Sequence, residues 1–427
     1  MNIVVVNAYV RGNAGDAALL SVCLRHIREA FPGARVEVAG MEDATVHPSF
    51  EGAANLGSIR RYVADGEVSR LRRIVRRLAA AQIAVAYLVL PVFTRSLLLR
   101  LLPAEARREA AAVLDADLVV SMGGGYLLAR PGLDGYQNIF FVLLPVLLAQ
   151  LTATPVVFAP QSFGPFPARS QRWLVRRTLH RAALVLARED VSVNELRDCG
   201  LPERQIRRAV DAGFAFAPSP STDWRALLGL DREQPLVGVT ARRWLDRAGQ
   251  DRYERALAET IDTIQADGVR VVLIPQVSTD YLGDDDRIVE SRIAAHCTSV
   301  PLRVDDRVDY REIKSLYDEC TFLIGTRFHS VIFSLTGGVP CIAIEYEHKT
   351  RGIMADLGLA EWVLPIAEVT YARLMERVTA LQAGEEEYRA VLQQRVPAYV
   401  GDAERFPDLL RTAVAAGREV VEAGAAT

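Results

Sequence analysis

The sequence is poor in the residues that build disulfide scaffolds and metal centres. Its 427 residues include five cysteines, and these form no Cys-x-x-Cys pair and no His/Cys cluster with metal-ligand spacing. Neither a disulfide framework nor a zinc site is therefore indicated, and we expect no metal. The chain opens on the apolar run MNIVVV, without the basic segment and cleavage site of a secretory signal. These absences predict a reducing, cytoplasmic environment.

An excess of charge of one sign is also missing. Lys and Arg number 50 and Asp and Glu number 53, which gives a formal net charge of −3 at pH 7. This balance argues against nucleic-acid binding driven by bulk charge, and we expect no nucleic-acid partner. The glycine run SMGGGYLL is not the GxGxxG fingerprint of dinucleotide binding, so no dinucleotide cofactor is indicated.

Short β-branched runs alternate with longer segments of helical period, a pattern typical of parallel sheets with crossover helices. The strands predicted in this way are residues 3–9, 35–41, 117–123, 155–160 and 183–188 in the first half, and 236–242, 269–276, 301–306, 321–326 and 339–346 in the second. A stretch rich in Pro and Ser, FAFAPSPSTD, separates the two sets and predicts a hinge. The fold class expected is α/β, with two Rossmann-like domains facing a central cleft in a GT-B-like arrangement.

The domains predicted from this pattern are an N-terminal Rossmann-like domain over residues 1–219, a C-terminal one over 220–380, and helices over 381–427 that pack back on them. An insert at about 70–102 departs from the pattern, because residues 78–93 carry no charge and have arginines on both sides. A membrane span needs about 20 apolar residues, so a helix lying in the membrane interface fits this segment better. A buried core helix or a dimer face is the main alternative, and a transmembrane helix is a weaker one.

Three loops of the first half follow predicted strands and carry groups suited to binding a ligand. The loop RGNAGDAALL opens a helix with Asn13 and Asp16, which fits an anion or hydroxyl site, although taken alone such residues more often only cap the helix. Gly124 and Gly125 allow a ligand to approach the backbone closely, although a tight turn explains them as well. Gln161 lies on a loop after another strand, with the same two interpretations.

Basic residues follow two predicted strands of the second half. VTARRW places Arg242 and Arg243 after one strand, and GTRFHS places Arg327 and His329 after another, where a helix opens. A guanidinium binds carboxylate or phosphate through two parallel hydrogen bonds, and a helix N-terminus adds its dipole. A surface arginine pair and a structural histidine are the alternatives. Together these residues predict a site for a small, strongly anionic ligand.

A set of motifs in a fixed order makes the chain resemble the polysaccharide pyruvyl transferases, over about residues 3 to 360. The set comprises GNAGDAAL, SMGGGYLL, PQSFGPF, LAREDVSVNEL, VGVTARRW and GTRFHSVIFSLTGGVPCIAIEYEHK. The resemblance implies a GT-B-like fold and transfer of a pyruvyl group from phosphoenolpyruvate to two hydroxyls of a sugar, giving a cyclic ketal and free phosphate. Phosphoenolpyruvate is then the donor substrate, and the acceptor is a cell-surface or lipid-linked glycan.

The resemblance also implies roles for residues of the second half. The family's donor-binding arginine matches Arg242, its Arg-x-His matches Arg327 and His329, and its lysine after a tyrosine matches Lys349 after Tyr346. Phosphoenolpyruvate is small and highly charged, so its site must supply several cations. Because histidine has an unperturbed pKa of about 6.5, His329 is the natural carrier of a proton to C3 of the donor. Asp16 and the glycine loops would then face the acceptor.

The chain departs from the family pattern in three places. Arg243 stands where proline is common, Glu189 stands where aspartate is favoured, and residues 78–93 lie outside the family's core pattern. The apolar insert favours a lipid-linked or membrane-surface acceptor, an anionic membrane surface as a further partner, and a location on the inner face of the cell membrane. A GT-B sugar-nucleotide glycosyltransferase and a catalytically silent anchoring subunit are the alternatives, and the sequence predicts no particular oligomeric state.

Overall fold

A computed structural model describes residues 1–10, 12–41, 52–60, 74, 104–217, 221–279, 284–304 and 309–425. Residues 78–93, predicted to lie in a membrane interface, fall outside these ranges. Within the described ranges, no helix has the length and apolar character needed to cross a bilayer.

The described strands are all short and mostly buried. In chain order they are β1 Asn2–Ala8, β2 Arg35–Gly40, β3 Ala54–Asn55, β4 Leu118–Ser121, β5 Gly124–Leu127, β6 Val156–Phe163, β7 Leu184–Ala187, β8 Ile206–Arg208, β9 Leu236–Thr240, β10 Arg270–Leu273, β11 Leu302–Arg303, β12 Phe322–Gly325, β13 Cys341–Glu345 and β14 Val363–Pro365. All ten predicted strands are present, and their observed ends differ from the predicted ends by at most a few residues.

Helices connect these strands. Those described are α1 Ala14–Ala30, α2 Ala104–Leu114, α3 Leu133–Leu151, α4 Arg169–Leu179, α5 Asp190–Asp198, α6 Trp224–Leu228, α7 Arg247–Ala266, α8 Asp286–His296, α9 Tyr310–Asp318, α10 Phe328–Thr336, α11 His348–Asp356, α12 Tyr371–Ala383, α13 Glu385–Ala403 and α14 Phe406–Ala425. Helix α3 is apolar around most of its circumference and is largely buried, as such a helix must be.

Two parallel sheets organise the described chain. One has the strand order β3-β2-β1-β4-β6-β7-β8, with β5 pairing with β6 off this path, and the other has the order β11-β10-β9-β12-β13-β14. Central strands such as β6 are buried along their whole length, which explains why their sequences are apolar runs without alternation. The α/β fold with two parallel sheets is confirmed.

The chain divides into two compact units, each built around one sheet. The first contains Met1–Arg11, Leu19–Ala212 and Glu404–Thr427, and the second contains Gly12–Ala18 and Gly213–Ala403. The first therefore holds the sheet that includes β1, and the second holds the sheet that includes β9. The domain limits at 219 and 380 remain predictions of the sequence.

The C-terminal helices are tied to both units by polar contacts. In the second unit, Tyr388 of α13 donates its hydroxyl to the carbonyl oxygen of Cys341 at 2.9 Å. In the first, Arg411 of α14 donates through Nε to the carbonyl oxygen of Ala30 at 3.3 Å. Each bond fixes a helix against the end of a strand or helix of its own unit.

Candidate active site

The register of the second sheet brings two predicted arginines to the same edge. Gly325 of β12 pairs with Thr240 of β9, and each is the last residue of its strand. Arg327 and Arg242 therefore each lie two residues beyond the ends of neighbouring parallel strands. This carboxyl edge of the sheet is where open α/β folds bind their ligands.

A hydroxyl network fixes the turn between β12 and α10. The Thr240 hydroxyl oxygen accepts the backbone N–H groups of Thr326 at 3.0 Å and Arg327 at 3.3 Å. It also lies 2.9 Å from the hydroxyl of Ser330, which donates to the carbonyl oxygen of Arg327 at 2.6 Å. Arg327 is the N-cap residue of α10, so its side chain starts beside the positive end of that helix.

The Arg327 guanidinium lies in a buried ion pair that the sequence did not reveal. Its Nε is 3.0 Å from both carboxylate oxygens of Asp286, and its Nη2 is 2.5 Å from Oδ1. The backbone N–H groups of Gln276 and Val277 donate to the same carboxylate at 3.1 and 2.9 Å. Burial alone would lower the pKa of Arg327, but the charges of Asp286 and Asp284 outweigh it and raise the pKa above its ordinary value. The arginine is therefore charged throughout the physiological range.

Arg242 lies between aromatic rings. Its guanidinium carbon is 4.1 Å from the ring centroid of Tyr346 and 4.8 Å from that of Trp244. Its Nη2 is 3.3 Å from Oδ1 of Asp284, whereas its Nε is buried without a hydrogen-bond partner in the described part of the chain. Gln250 donates to the carbonyl oxygen of Arg242 at 3.1 Å and so fixes the backbone of this loop. The stacking holds the guanidinium flat while leaving donor capacity unused.

Lys349 lies in the first turn of α11 and joins the same aromatic cluster. Its Nζ is 5.3 Å from the ring centroid of Phe328 and 5.4 Å from that of Tyr346. It is also 2.7 Å from Oε2 of Glu347. The predicted residues Arg242, Tyr346 and Lys349 are thus brought together. The neighbouring Arg243 is exposed.

His329 lies in the first turn of α10, at the same edge of the sheet, and is packed against the loop after β1. It is 9% exposed, and its ring contacts those of Phe328 and Phe333 at centroid distances of 5.2 and 6.2 Å. Gly15 lies directly beside it, because a Cβ at that position would be 2.1 Å from Nδ1 of the imidazole. The predicted proton carrier therefore has a ring position fixed from several sides.

The two polar residues of the loop after β1 bond to each other. Oδ1 of Asn13 accepts the N–H groups of Gly15 at 3.0 Å and Asp16 at 3.4 Å, and its Nδ2 donates to Asp16 at 2.8 Å. The N–H of Ala14 donates to the carbonyl oxygen of Gln276 at 3.0 Å. The side chain of Asn13 thus caps α1, as one interpretation of the sequence held. Ligand binding by Asn13 and Asp16 stays a prediction.

The predicted groups of the first half lie on neighbouring strands of the first sheet. Gln161 lies inside β6, so its predicted place on a loop after a strand is wrong, and it pairs with Gly124 of β5. The exposed Gly125 follows Gly124 in β5. At the preceding Gly123, a Cβ would be 2.5 Å from the carbonyl oxygen of Pro160, so the glycine permits close approach of two strands. Gln161 is fully buried, and neither atom of its amide group has a hydrogen-bond partner in the described chain.

A second amide lies at the end of β1 in the same unit. Asn7 has a φ of 63°, a left-handed conformation that few non-glycine residues adopt. Its Nδ2 donates to the hydroxyl of Ser121 and the carbonyl oxygen of Val142, both at 3.1 Å. Its Oδ1 is buried without a partner among the described residues. Asn7 was not predicted as a site residue, because an asparagine inside an apolar run gives no sign of its backbone conformation.

Asp284, Asp286 and Trp244 also lie at the carboxyl edge of the second sheet, and none of them was predicted from the sequence. The available signal was the run Gly-Asp-Asp-Asp shortly after β10, and a tryptophan two residues beyond Arg242. No group of three or more His, Cys, Asp or Glu side chains placed to hold a metal ion occurs in the ranges that the structure describes.

Sequence comparison identifies a matching family. The model of the polysaccharide pyruvyl transferases matches residues 13–348 of the chain. Among individual proteins, the amylovoran biosynthesis protein AmsJ of Erwinia amylovora is 26% identical over 300 residues, which cover 66% of this chain and 70% of AmsJ.

Structural comparison finds similar folds at low sequence identity. The S. aureus MnaA–UDP co-structure matches with a TM-score of 0.59 at 11% identity, covering 95% of this chain and 94% of that one. A putative UDP-N-acetylglucosamine 2-epimerase from Listeria monocytogenes matches with the same TM-score at 12% identity and the same coverage. At this identity the likeness extends to the fold alone.

Proposed function

Because the chain belongs to the polysaccharide pyruvyl transferase family, we propose that it transfers the pyruvyl group of phosphoenolpyruvate to two hydroxyls of one sugar in a glycan. The product is a cyclic ketal, and phosphate is released. The observation that carries this proposal is the group of cationic side chains at the carboxyl edge of the second sheet: Arg242, Arg327 and Lys349, with His329 beside them.

The chemistry of the donor fits these side chains. Phosphoenolpyruvate carries a carboxylate and a phosphate within a few atoms, and each group binds well to a guanidinium. Arg242 is held flat by Tyr346 and Trp244 and keeps an unpartnered Nε within the described chain. Arg327 has its Nε and one N–H of Nη2 on Asp286, so Nη1 and the second N–H of Nη2, which points at the exposed Asp284, can bond to a ligand. The N-terminus of α10 adds a favourable dipole.

His329 supplies the proton that starts the reaction. It protonates C3 of the donor, and C2 develops oxocarbenium character. One sugar hydroxyl adds to C2, the C2–O bond to phosphate breaks, and the second hydroxyl adds to close the ketal. The two hydroxyls lose two protons in total; one restores the histidine and the other leaves with phosphate. The packing of the ring between Gly15 and two phenylalanines keeps the imidazole in place during these steps.

We assign the uncharged polar groups of the first sheet to binding of the sugar acceptor. Gln161 offers a buried amide with a free donor and a free acceptor in the described chain, a pairing that suits a sugar hydroxyl. In the same unit the exposed Gly125, next to Gly124, leaves the backbone accessible to a sugar. Asn13 and Asp16 belong to the second unit and are separate candidates for acceptor binding. Residues 78–93 favour a lipid-linked acceptor and a location on the inner membrane surface, which fractionation of cell extracts tests.

A donor screen followed by a phosphate-release assay tests the proposal. Phosphoenolpyruvate should raise the melting temperature while nucleotide sugars should not, because only a ligand that binds the folded state stabilises it. Phosphate should then appear when phosphoenolpyruvate is mixed with a matching lipid-linked or soluble glycan. Stabilisation by a nucleotide sugar, with no phosphate release, would instead favour a glycosyltransferase. Binding of neither donor would favour an anchoring subunit without catalytic activity.

A further inference from the structure

We propose that Asp284 is an affinity-determining residue, whose carboxylate competes with the anionic group of the donor for Arg242 and Arg327. This inference takes the identity of the donor from the function proposed above. The competition itself concerns any small anion that binds the two arginines.

The contacts of Asp284 resemble those of a bound anion. A single oxygen, Oδ1, lies 2.8 Å from Nη2 of Arg327 and 3.3 Å from Nη2 of Arg242. The two guanidinium groups come from the ends of the neighbouring strands β12 and β9, and the carboxylate bridges them. A phosphate or carboxylate oxygen of a ligand would form the same two hydrogen bonds.

The charges of the site explain why a competitor matters. Three cations, Arg242, Arg327 and Lys349, are each within ion-pair distance of a carboxylate, and the carboxylates involved are Asp284, Asp286 and Glu347. These six side chains carry no net charge between them. Phosphoenolpyruvate brings about three negative charges, so it binds well only where cations outnumber the local carboxylates. Moving one carboxylate away changes the local balance from zero to one positive charge.

Asp284 is the carboxylate best suited to move. The Asp286 side chain is 1% exposed and accepts bonds from Arg327 and from two backbone N–H groups. The Asp284 side chain is 39% exposed, so water already solvates part of its carboxylate. Displacing an exposed carboxylate into solvent is easy, whereas stripping a buried one of its partners is not. Asp286 therefore stays paired with Arg327 when the ligand binds, and the ligand displaces the carboxylate of Asp284.

Calorimetric titration of the full-length protein with phosphoenolpyruvate tests the inference. Asp284→Asn and Asp284→Ala should each lower the Kd about three- to tenfold, because the competing carboxylate is gone. The matched control is Asp285→Asn, which removes the same charge one residue away. Asp285 bonds to Arg287 instead of the two arginines, and asparagine keeps its role as N-cap of α8. We expect this control to change the Kd less than about twofold.

The outcomes separate this inference from the proposed function. An unchanged or higher Kd in both Asp284 variants would show that the carboxylate orients the arginines and does not compete, and would overturn the inference. An equal gain in affinity in Asp285→Asn would show that the effect comes from the loss of any nearby negative charge, and would also overturn the inference. Titration with inorganic phosphate, as a second probe, tests the competition even if phosphoenolpyruvate is not the donor. If phosphate binds more tightly to the Asp284 variants while phosphoenolpyruvate binds to no form, competition stands and the donor assignment fails.

Discussion

The carboxyl edges of the two sheets differ in how their polar groups are balanced. At the edge of the second sheet the groups are charged, and Arg327, Asp286 and Arg242 have opposite charges close by. At the edge of the first sheet Arg188 forms a buried ion pair with Asp211, but the groups on β1 and β6 are neutral amides, and atoms of Asn7 and Gln161 are buried without partners in the described chain. A buried charge needs a permanent counter-charge, whereas an amide without a partner costs only about 1–3 kcal/mol. The charged edge, where we propose that the donor binds, is thus balanced internally, and the neutral amides, where we propose that sugar hydroxyls bind, are left unsatisfied among the described residues.

The largest effect expected at the charged edge follows from changing its histidine. His329→Asn should lower turnover at saturating donor about 100- to 10,000-fold, the usual contribution of a general acid, while much of the donor affinity is kept. Gly15→Ala should also lower turnover, because its Cβ would displace the imidazole. His296→Asn, on the more exposed end of α8, is the control for both. Steady-state kinetics with a folding measurement decides, and near wild-type turnover in His329→Asn removes the proton-transfer role.

The next effect concerns the stability of the charged edge. Asp286→Asn leaves the buried Arg327 without its main counter-charge and should reduce the free energy of unfolding by about 3–5 kcal/mol. Denaturant titration measures this loss, with Asp285→Asn as the control for a neighbouring carboxylate. A loss below about 1 kcal/mol would mean that Asp284 or water replaces the missing partner, and that the pair is less important for the fold than its burial indicates.

A smaller effect is expected on donor binding by Arg242. Arg242→Lys keeps the charge but loses the planar geometry that stacks on Tyr346, so phosphoenolpyruvate should bind more weakly by about 1.5–3 kcal/mol. Arg255→Lys, on the exposed surface of α7, provides the control for a like substitution. If titration shows normal binding in Arg242→Lys but weak binding in Arg243→Lys, the arginine that contacts the donor is the exposed one.

The smallest effect is expected at the neutral amides of the first sheet. Gln161→Leu removes a buried amide that has no partner in the described chain, so the free energy of unfolding should stay the same or rise by about 1 kcal/mol. The acceptor KM should nevertheless rise, because a sugar hydroxyl loses its partner. Thermal unfolding and acceptor kinetics on the same variant separate these effects. A clear loss of stability with an unchanged KM would make Gln161 a packing residue and remove the contrast between the edges.

Sequence patterns predicted the long strands well because burial on both faces leaves a continuous apolar run, as in β1 and β6. The strands that were not predicted, β3, β5, β8 and β14, have two to four residues each. A segment this short shows no period, and a polar one such as Ile206–Arg208 resembles a loop. Its pairing is decided by the neighbouring strand.

The residues of the candidate site were predictable where charged side chains directly follow a strand. Arg242 and Arg327 were found because each lies two residues beyond an apolar run. Asp284 and Asp286 were not, because β10 ends at Leu273 and neither aspartate directly follows a strand in the sequence. Three consecutive aspartates at the start of a helix also resemble ordinary N-terminal capping, which Asp285 does provide. Which of the three contacts Arg242 or Arg327 depends on tertiary contacts that spacing does not encode.

The contact between Gly15 and His329 sets an evolutionary constraint on two positions that lie far apart in the sequence. Since even a methyl group at position 15 would lie 2.1 Å from the imidazole, mutation at one position changes which residues selection can accept at the other. Descendants of a common ancestor that keep the histidine should keep the glycine. A lineage that acquires a larger residue at 15 should carry a smaller one at 329, and it would then lack the imidazole to which we assign the proton transfer.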